Sequence, residues 1–183
     1  VSSLVIVTGT TGSGKTTTCK EFVAQADDLW LHFGVDTMLG TLVPRKFVDG
    51  GERGEEGVHM APDDPADPDG PAHMSFGKYG GGLIDTYHRM VRTAVENGQK
   101  VIIDHVATTE PPILPSLVEH FHDLPTLFVA LRPPQAILGT RIEGRIAEVE
   151  KVLGPEQAAR NNAGTRRASE FIAREIFRHD VFD

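Results

Sequence analysis

Apolar residues along the chain fall into two kinds of run. Short unbroken blocks at Leu4 to Val7, Leu29 to Phe33, Val101 to Ile103 and Thr126 to Leu131 predict buried strands. Between them the apolar positions adopt helical spacing. Cys19, Phe22, Val23 and Ala26 predict a helix from Gly14 to Ala26. Leu83, Ile84, Tyr87, Met90, Val91, Ala94 and Val95 form one face of a longer helix that ends at Asn97-Gly98. Gly34 halts the second strand, and a brief helical patch follows Asp36 to about Leu42. Further helices are expected from Glu110-Pro111-Pro112 to about His122, from Ile137 to Leu153, and from roughly Pro155 to Arg178 with a break at Gly164. His179 to Asp183 reads as the start of another strand, and no internal repeat is visible. Strands alternating with helices predict an α/β fold: a parallel β-sheet flanked by helices on both faces, with active groups at the carboxyl ends of its strands.

The pattern breaks between Asp49 and Gly82. Acidic residues, Gly and Pro crowd this stretch around Asp63, Asp64, Pro65, Asp67, Pro68 and Asp69, leaving little to build a core. Val58 to Ala61 and Ala72 to Phe76 are expected to pair as a small hairpin around that tip. The stretch (about 49–82) reads as an insert in a single domain spanning 1–183, with two readings open: a solvated loop, or a flap over a substrate.

Composition narrows the function classes. At 183 residues, 39% hydrophobic and 24% charged, the chain suits one soluble domain with a real core. A net charge of −8 argues against nucleic acid as a partner, because such proteins present a basic face. Anionic ligands must then be held by local groups. The single cysteine, Cys19, has no internal partner and falls on the apolar face of its helix. No apolar run approaches a membrane span and no basic segment precedes the first strand, so the expected compartment is the cytoplasm. The oligomeric state is left open.

The chemistry concentrates after the first strand. Gly9, Gly14, Lys15 and Thr16 fill the G-x-x-x-x-G-K-[ST] pattern at a strand-to-helix junction, which makes a phosphate cradle. Backbone amides of Gly9, Thr10, Thr11, Gly12, Ser13, Gly14 and Thr17 turn toward one anion, and the helix adds its positive end. Lys15 reaches the β- and γ-phosphates, and the Thr16 hydroxyl is placed to ligate Mg²⁺. A ligand with β- and γ-phosphates, with Mg²⁺, is therefore expected at this loop. Asp104, at the end of an apolar strand, is the second candidate metal ligand, with a loop-capping aspartate as the alternative. His105 beside it reads more readily as a satisfied histidine than as a catalytic one. Asp36 follows another strand, where it can take a proton from an acceptor hydroxyl or simply cap the next helix. Arg132, Arg141 and Arg145 are the cations best placed for nucleotide phosphates, although arginines on a solvated helix face would look the same.

The phosphate loop, the segment from Trp30 to Met38 (W-x-x-F-G-V-D within it) and Val101-Ile102-Ile103-Asp104 together resemble the chloramphenicol phosphotransferase family of P-loop kinases. The resemblance extends over nearly the whole chain, including the hairpin and the Arg132, Arg141, Arg145 spacing in a helical lid (about 132–153). It implies transfer of the γ-phosphate of ATP to a hydroxyl of a small molecule, an antibiotic in that family, with Asp36 activating the hydroxyl and the three arginines as lid or nucleotide contacts. Two positions depart from the family. His105 stands where a second carboxylate is common, and Ala147, Glu148 and Glu150 occupy the stretch where a further arginine is expected. Both bear on the acceptor more than on the phosphate chemistry. A nucleoside, sugar or other metabolite kinase is the nearest alternative. A nucleotide-hydrolysing switch is a more distant one, against which no N-K-x-D motif for guanine is present.

Overall fold

Alternation along the first strand sets the layers of the molecule. Leu4 and Ile6 point to one face of the sheet, and Val5 and Val7 to the other; all are buried. The structure is a computed structural model and describes residues 3–68, 70–153 and 166–178. A four-stranded parallel sheet orders its strands β2-β5-β1-β6, where β1 is Leu4–Gly9, β2 Trp30–Gly34, β5 Lys100–Asp104 and β6 Thr126–Leu131. Between β2 and β5 the chain forms a separate antiparallel hairpin, β3 (Val58–Pro62) with β4 (Ala72–Phe76).

Helix α1 (Lys15–Gln25) covers the face carrying Val5, Val7 and Ile102, mainly through Cys19, which is wholly buried. Phe22, expected on the buried side, is partly exposed and instead meets the Trp30 ring edge-on at 4.9 Å. The opposite face, with Leu4, Ile6, Val101 and Ile103, is covered by α3 (Gly80–Glu96) and α4 (Ile113–Phe121). Within α3 the buried set is Ile84, Tyr87, His88, Val91 and Val95, so His88 takes an inward position while Met90 is 45% exposed. Helix α3 starts at Gly80, inside the expected insert, and Gly80 packs closely against the hairpin region, where a Cβ would lie 2.7 Å from the Gly57 carbonyl oxygen. Two strand expectations also shift. Leu29 is 75% exposed and the second strand begins at Trp30 and includes Gly34, while β6 lies at a sheet edge with Leu127 half exposed.

The hairpin is no solvated loop. Val58, Met74 and Phe76 pack against the main core, Ala72 is buried, and Met60 and Met74 contact Phe171, Ile172 and Ile176 near the carboxyl end. A helix over residues 166–175 carries those last groups. Its arginines tie it to the hairpin: Arg174 donates to the Ala72 carbonyl (3.1 Å) and Arg167 to the Pro68 carbonyl. Residues 154–165 of the expected last helix, and the strand expected at His179 to Asp183, lie outside the described residues. Helix α2 (Val35–Leu42) and α5 (Gln135–Leu153) complete the set.

Between α3 and α4 a polar seam runs through the core. His88 pairs with Ser116 Oγ (2.9 Å) and with His105 Nε2 (3.3 Å), while Arg92 reaches Asp123 and the His120 carbonyl. Burial, with His105 and His120 as neighbours, pushes His88 from its ordinary 6.5 down to about 3, and burial takes His105 to about 4. The unfolded chain therefore binds protons below pH 6.5 that the folded chain refuses, and stability falls as pH drops from about 6.5 toward 4. Urea unfolding midpoints taken from pH 7.5 to 4.5 should decline across that window, and His88→Gln should make the decline shallower; an unchanged slope in the variant would remove His88 as a cause.

Candidate functional site

Three chain segments deliver polar groups to the carboxyl ends of β1, β2 and β5, where a cleft of about 670 Å³ opens. The first is the loop after β1. Gly14 adopts a left-handed conformation (φ 97°), which a side chain would disfavour, and from there the chain enters α1 with Lys15 as its first residue. Lys15 Nζ donates to the carbonyls of Gly9 (2.9 Å) and Thr10 (3.0 Å), so the ammonium sits inside the curl of the loop. Burial lowers its pKa, partly offset by the carboxylates of Asp36 and Asp104. Thr11, Gly12, Ser13, Gly14, Thr16 and Thr17 line the cleft, while Gly9 and Thr10 of the same loop are not on its wall. Thr10 Oγ1 and Ser13 Oγ are buried with no hydrogen-bond partner among the described residues. Orphan hydroxyls in an interior are costly, and here they occupy a loop whose amides are built for an anion.

Asp104 is the second segment's contribution. It ends β5 at 4% exposure, pairs in register with Gly34, and is gripped from two sides. Thr16 Oγ1 donates to its Oδ2 (2.5 Å) and His32 Nε2 to its Oδ1 (2.7 Å). Burial alone would raise this carboxyl, but the hydrogen bonds from His32 and Thr16 and the charge on Lys15 hold it below the usual range. An ionised carboxylate beside a hydroxyl is an oxygen pair that fits Mg²⁺. Gly34 is small for a reason: a Cβ there would lie 2.8 Å from Asp104 Oδ1. Cys19 also lies close to this carboxylate, but burial pushes its thiol to about 12, which leaves it a neutral core group.

The third segment is the start of α2. Gly34 takes the N-cap position and Asp36 lies in the first turn, so Asp36 is not the capping residue that its position allowed. Its side chain is exposed on the cleft wall opposite the loop, with no hydrogen bond or ion pair among the described residues. From the carboxyl-terminal side, Arg141 Nη1 donates to the carbonyls of Gly12 and Ser13 (both 3.2 Å), and Arg145 lines the same cleft. Arg132 is placed elsewhere: its guanidinium lies 4.1 Å over the Phe177 ring and it does not reach the cleft wall. His105 is 1% exposed, with its Nδ1 accepting from the Val106 amide (2.8 Å) and its Nε2 facing His88. It is the satisfied histidine.

Sequence reasoning missed His32. The available signal was its place inside β2, two residues before the glycine that meets Asp104, which puts it beside the carboxylate on the neighbouring strand. It also missed Ala168 and Ile172, which form part of the cleft roof and belong to a helix far away in sequence.

A parallel sheet with a lysine-bearing phosphate loop, a threonine–carboxylate pair and facing arginines defines a P-loop phosphotransferase of the nucleotide-binding kinase type. The chain belongs to the chloramphenicol phosphotransferase-like protein family, whose pattern matches residues 2–169. Among solved structures it is similar to a chain of the Pnkp1/Rnl/Hen1 RNA repair complex, at 18% identity and a TM-score of 0.53, covering 91% of this chain and 44% of that one. A second structure of the Pnkp1/Rnl/Hen1 complex matches at 19% identity and a TM-score of 0.51, over 75% of this chain and 38% of the other. The chain thus spans less than half of each of these two solved chains, and these likenesses concern the fold. No curated protein matches it.

The grip on Asp104 can be tested at its tightest contact. Gly34→Ala should displace the carboxylate, cost about 1–3 kcal/mol of stability as overpacked sites do, and weaken Mg²⁺-dependent ATP binding more than metal-free binding. Titration calorimetry with and without Mg²⁺, beside a urea curve, reads both effects; an unchanged midpoint with unchanged metal dependence would mean the close approach is slack.

Proposed function

We propose that the protein is an ATP- and Mg²⁺-dependent O-phosphotransferase that moves the γ-phosphate onto a hydroxyl of a small molecule, with an antibiotic alcohol as the leading acceptor class. The chain is read as one kinase domain, with the hairpin as an insert and the arginine-bearing helix α5 as a lid, acting in the cytoplasm. The observation that carries the reading is the placing of Asp36 on the wall of the cleft that also holds Lys15, Thr16 and Asp104. Among the described residues no helix is long and apolar enough to cross a membrane.

In this scheme the acceptor oxygen attacks phosphorus, its proton passes to the Asp36 carboxylate, and the bond to the leaving phosphate oxygen breaks. Asp36 suits that work because no donor among the described residues occupies it. Lys15 and the loop amides of Thr10 to Thr17 hold and orient the phosphates. Arg141 and Arg145 offset charge that builds on the transferring group, a task for guanidinium groups fixed before reaction. Thr16 and Asp104 would hold Mg²⁺, which supplies charge neutralisation across the terminal phosphates. Arg132 stacks on Phe177 outside the cleft and has no part in this scheme.

A small acceptor is favoured over nucleic acid, although structural relatives occur in an RNA repair complex. The chain carries a net charge of −8, and the space beyond Asp36 is a small, mostly apolar cavity and not a basic groove.

Incubation with γ-labelled ATP and a panel of hydroxylated antibiotics, sugars, nucleosides and a 5′-hydroxyl oligoribonucleotide tests the assignment. Label should move to a small alcohol and not to the oligonucleotide. Lys15→Ala should abolish transfer, and Asp36→Asn should lower kcat by about a hundredfold or more, as loss of a general base does, with ATP affinity retained. Wild-type turnover in Asp36→Asn would take Asp36 out of the mechanism, and phosphate release indifferent to every acceptor would favour a hydrolysing switch.

A further inference from the structure

Asp104 presents its two oxygens to different surroundings. Oδ2 accepts from the Thr16 hydroxyl (2.5 Å), and both Asp104 and Thr16 line the cleft. Oδ1 accepts from His32 Nε2 (2.7 Å), and His32 is not on the cleft wall. One oxygen therefore belongs to the cleft and the other to the packing between β2 and α1.

The sheet explains why the imidazole reaches Oδ1. In the parallel register His32 lies opposite Ile102 and Gly34 opposite Asp104, so His32 and Asp104 share the face of Ile102 that α1 covers. The residue directly across from Asp104 has no side chain, and a Cβ on Gly34 would stand 2.8 Å from the same Oδ1 that His32 holds. The imidazole thus fills, from two residues earlier in β2, the place beside Oδ1 that the glycine leaves open. The contact is enclosed, with the His32 and Asp104 side chains 15% and 5% exposed. Two donors from two elements, one on each oxygen, also fix the plane of the carboxylate, because turning it would break both bonds.

We infer that His32 is a positioning residue that sets the cation preference of the site: by occupying Asp104 Oδ1 it leaves the carboxylate a single cleft-side oxygen, Oδ2, to offer beside the Thr16 hydroxyl. The inference rests on the phosphotransferase reading of the cleft, in which that oxygen pair holds the divalent cation. Cations differ in what they ask of a carboxylate. Ca²⁺ takes about six to eight oxygens in flexible arrangements and accepts both oxygens of one carboxylate, whereas the smaller Mg²⁺ demands near-ideal octahedral order and keeps several of its waters. A carboxylate pinned at one oxygen suits Mg²⁺ and handicaps Ca²⁺. His32 acts through Asp104 and not on the cation itself. Without the imidazole the carboxylate is free to turn and offer both oxygens to the cleft.

The test measures ATP affinity by titration calorimetry on the full chain, in saturating Mg²⁺ and in saturating Ca²⁺, with no acceptor present. The wild-type protein should bind ATP more tightly with Mg²⁺. His32→Leu should shrink the Mg²⁺-to-Ca²⁺ affinity ratio by about tenfold, the worth of one hydrogen bond to a charged group. His32→Gln, whose amide N–H reaches about as far as Nε2, should restore most of the ratio. Urea midpoints establish that each variant folds, and His32→Ala stands in if the leucine variant does not. An equal loss of affinity with both cations marks a purely structural role and overturns the inference. So does an unchanged ratio in His32→Leu, or a wild-type protein with no preference for Mg²⁺. A wild-type protein indifferent to the cation that still transfers phosphate to an alcohol leaves the phosphotransferase reading standing; one that binds ATP with neither cation removes that reading, and the inference with it.

Discussion

A buried carboxylate in the middle of a parallel sheet is expensive, and the organisation of this protein follows from how Asp104 is accommodated. Its two oxygens are matched to donors from two different elements, Thr16 on the helix after the phosphate loop and His32 on the neighbouring strand. Each donor fixes a distance that the fold must respect. Thr16 can reach only if α1 begins right at the loop, and His32 only if β2 lies beside β5 in its observed register. The third neighbour, Gly34, must have no side chain. Removing any of these partners would leave charge in a low-dielectric interior, so the carboxylate acts as a gauge on the mutual placement of β2, β5 and α1.

That gauge explains which parts of the chain were legible in the sequence. Everything that depends on local chemistry was readable: the loop from Gly9 to Thr16, the carboxylate at the end of an apolar strand, the aspartate after the second strand, and the hairpin pairing of Val58 to Ala61 with Ala72 to Phe76. What the spacing did not reveal depends on contacts between distant segments. Periodicity put Met90 on the inner face of α3, where the core accepts His88 instead, because Ser116 and His105 satisfy the imidazole there. The charge pattern grouped Arg132 with Arg141 and Arg145, yet only the latter two lie on the helix that folds over the loop; Arg132 precedes it and stacks on Phe177 from the far end of the chain. Asp36 looked equally like a cap. Two residues of register separate it from the cap, because the helix begins at Val35 and the N-cap falls on Gly34.

The acidic, Pro-rich insert shows why composition alone underdetermines structure. Its tip is exposed, as its charge requires, but its two strands carry methionines at Met60 and Met74, flexible side chains that fill irregular gaps. They meet Phe171, Ile172 and Ile176. Neither partner has a complete apolar face by itself, so neither could be recognised as core from its own stretch. Together they roof the cleft: Met74 comes from the hairpin and Ile172 from the helix near the carboxyl end.

The electrostatics of the cleft run against those of the whole chain. With a net charge of −8, long-range attraction cannot gather a polyanionic nucleotide, and the cations that matter are few and fixed. Lys15 is held by loop carbonyls, and Arg141 is held by the carbonyls of the same loop at Gly12 and Ser13. Both are thus positioned by the backbone that a phosphate would compete for, and a bound nucleotide would exchange carbonyl contacts for phosphate oxygens with little movement of charge. Cations already in place lose little freedom when they begin to work. Such an arrangement lets an acidic protein handle a strongly acidic ligand, because the favourable field exists only within the few ångströms where the chemistry requires it.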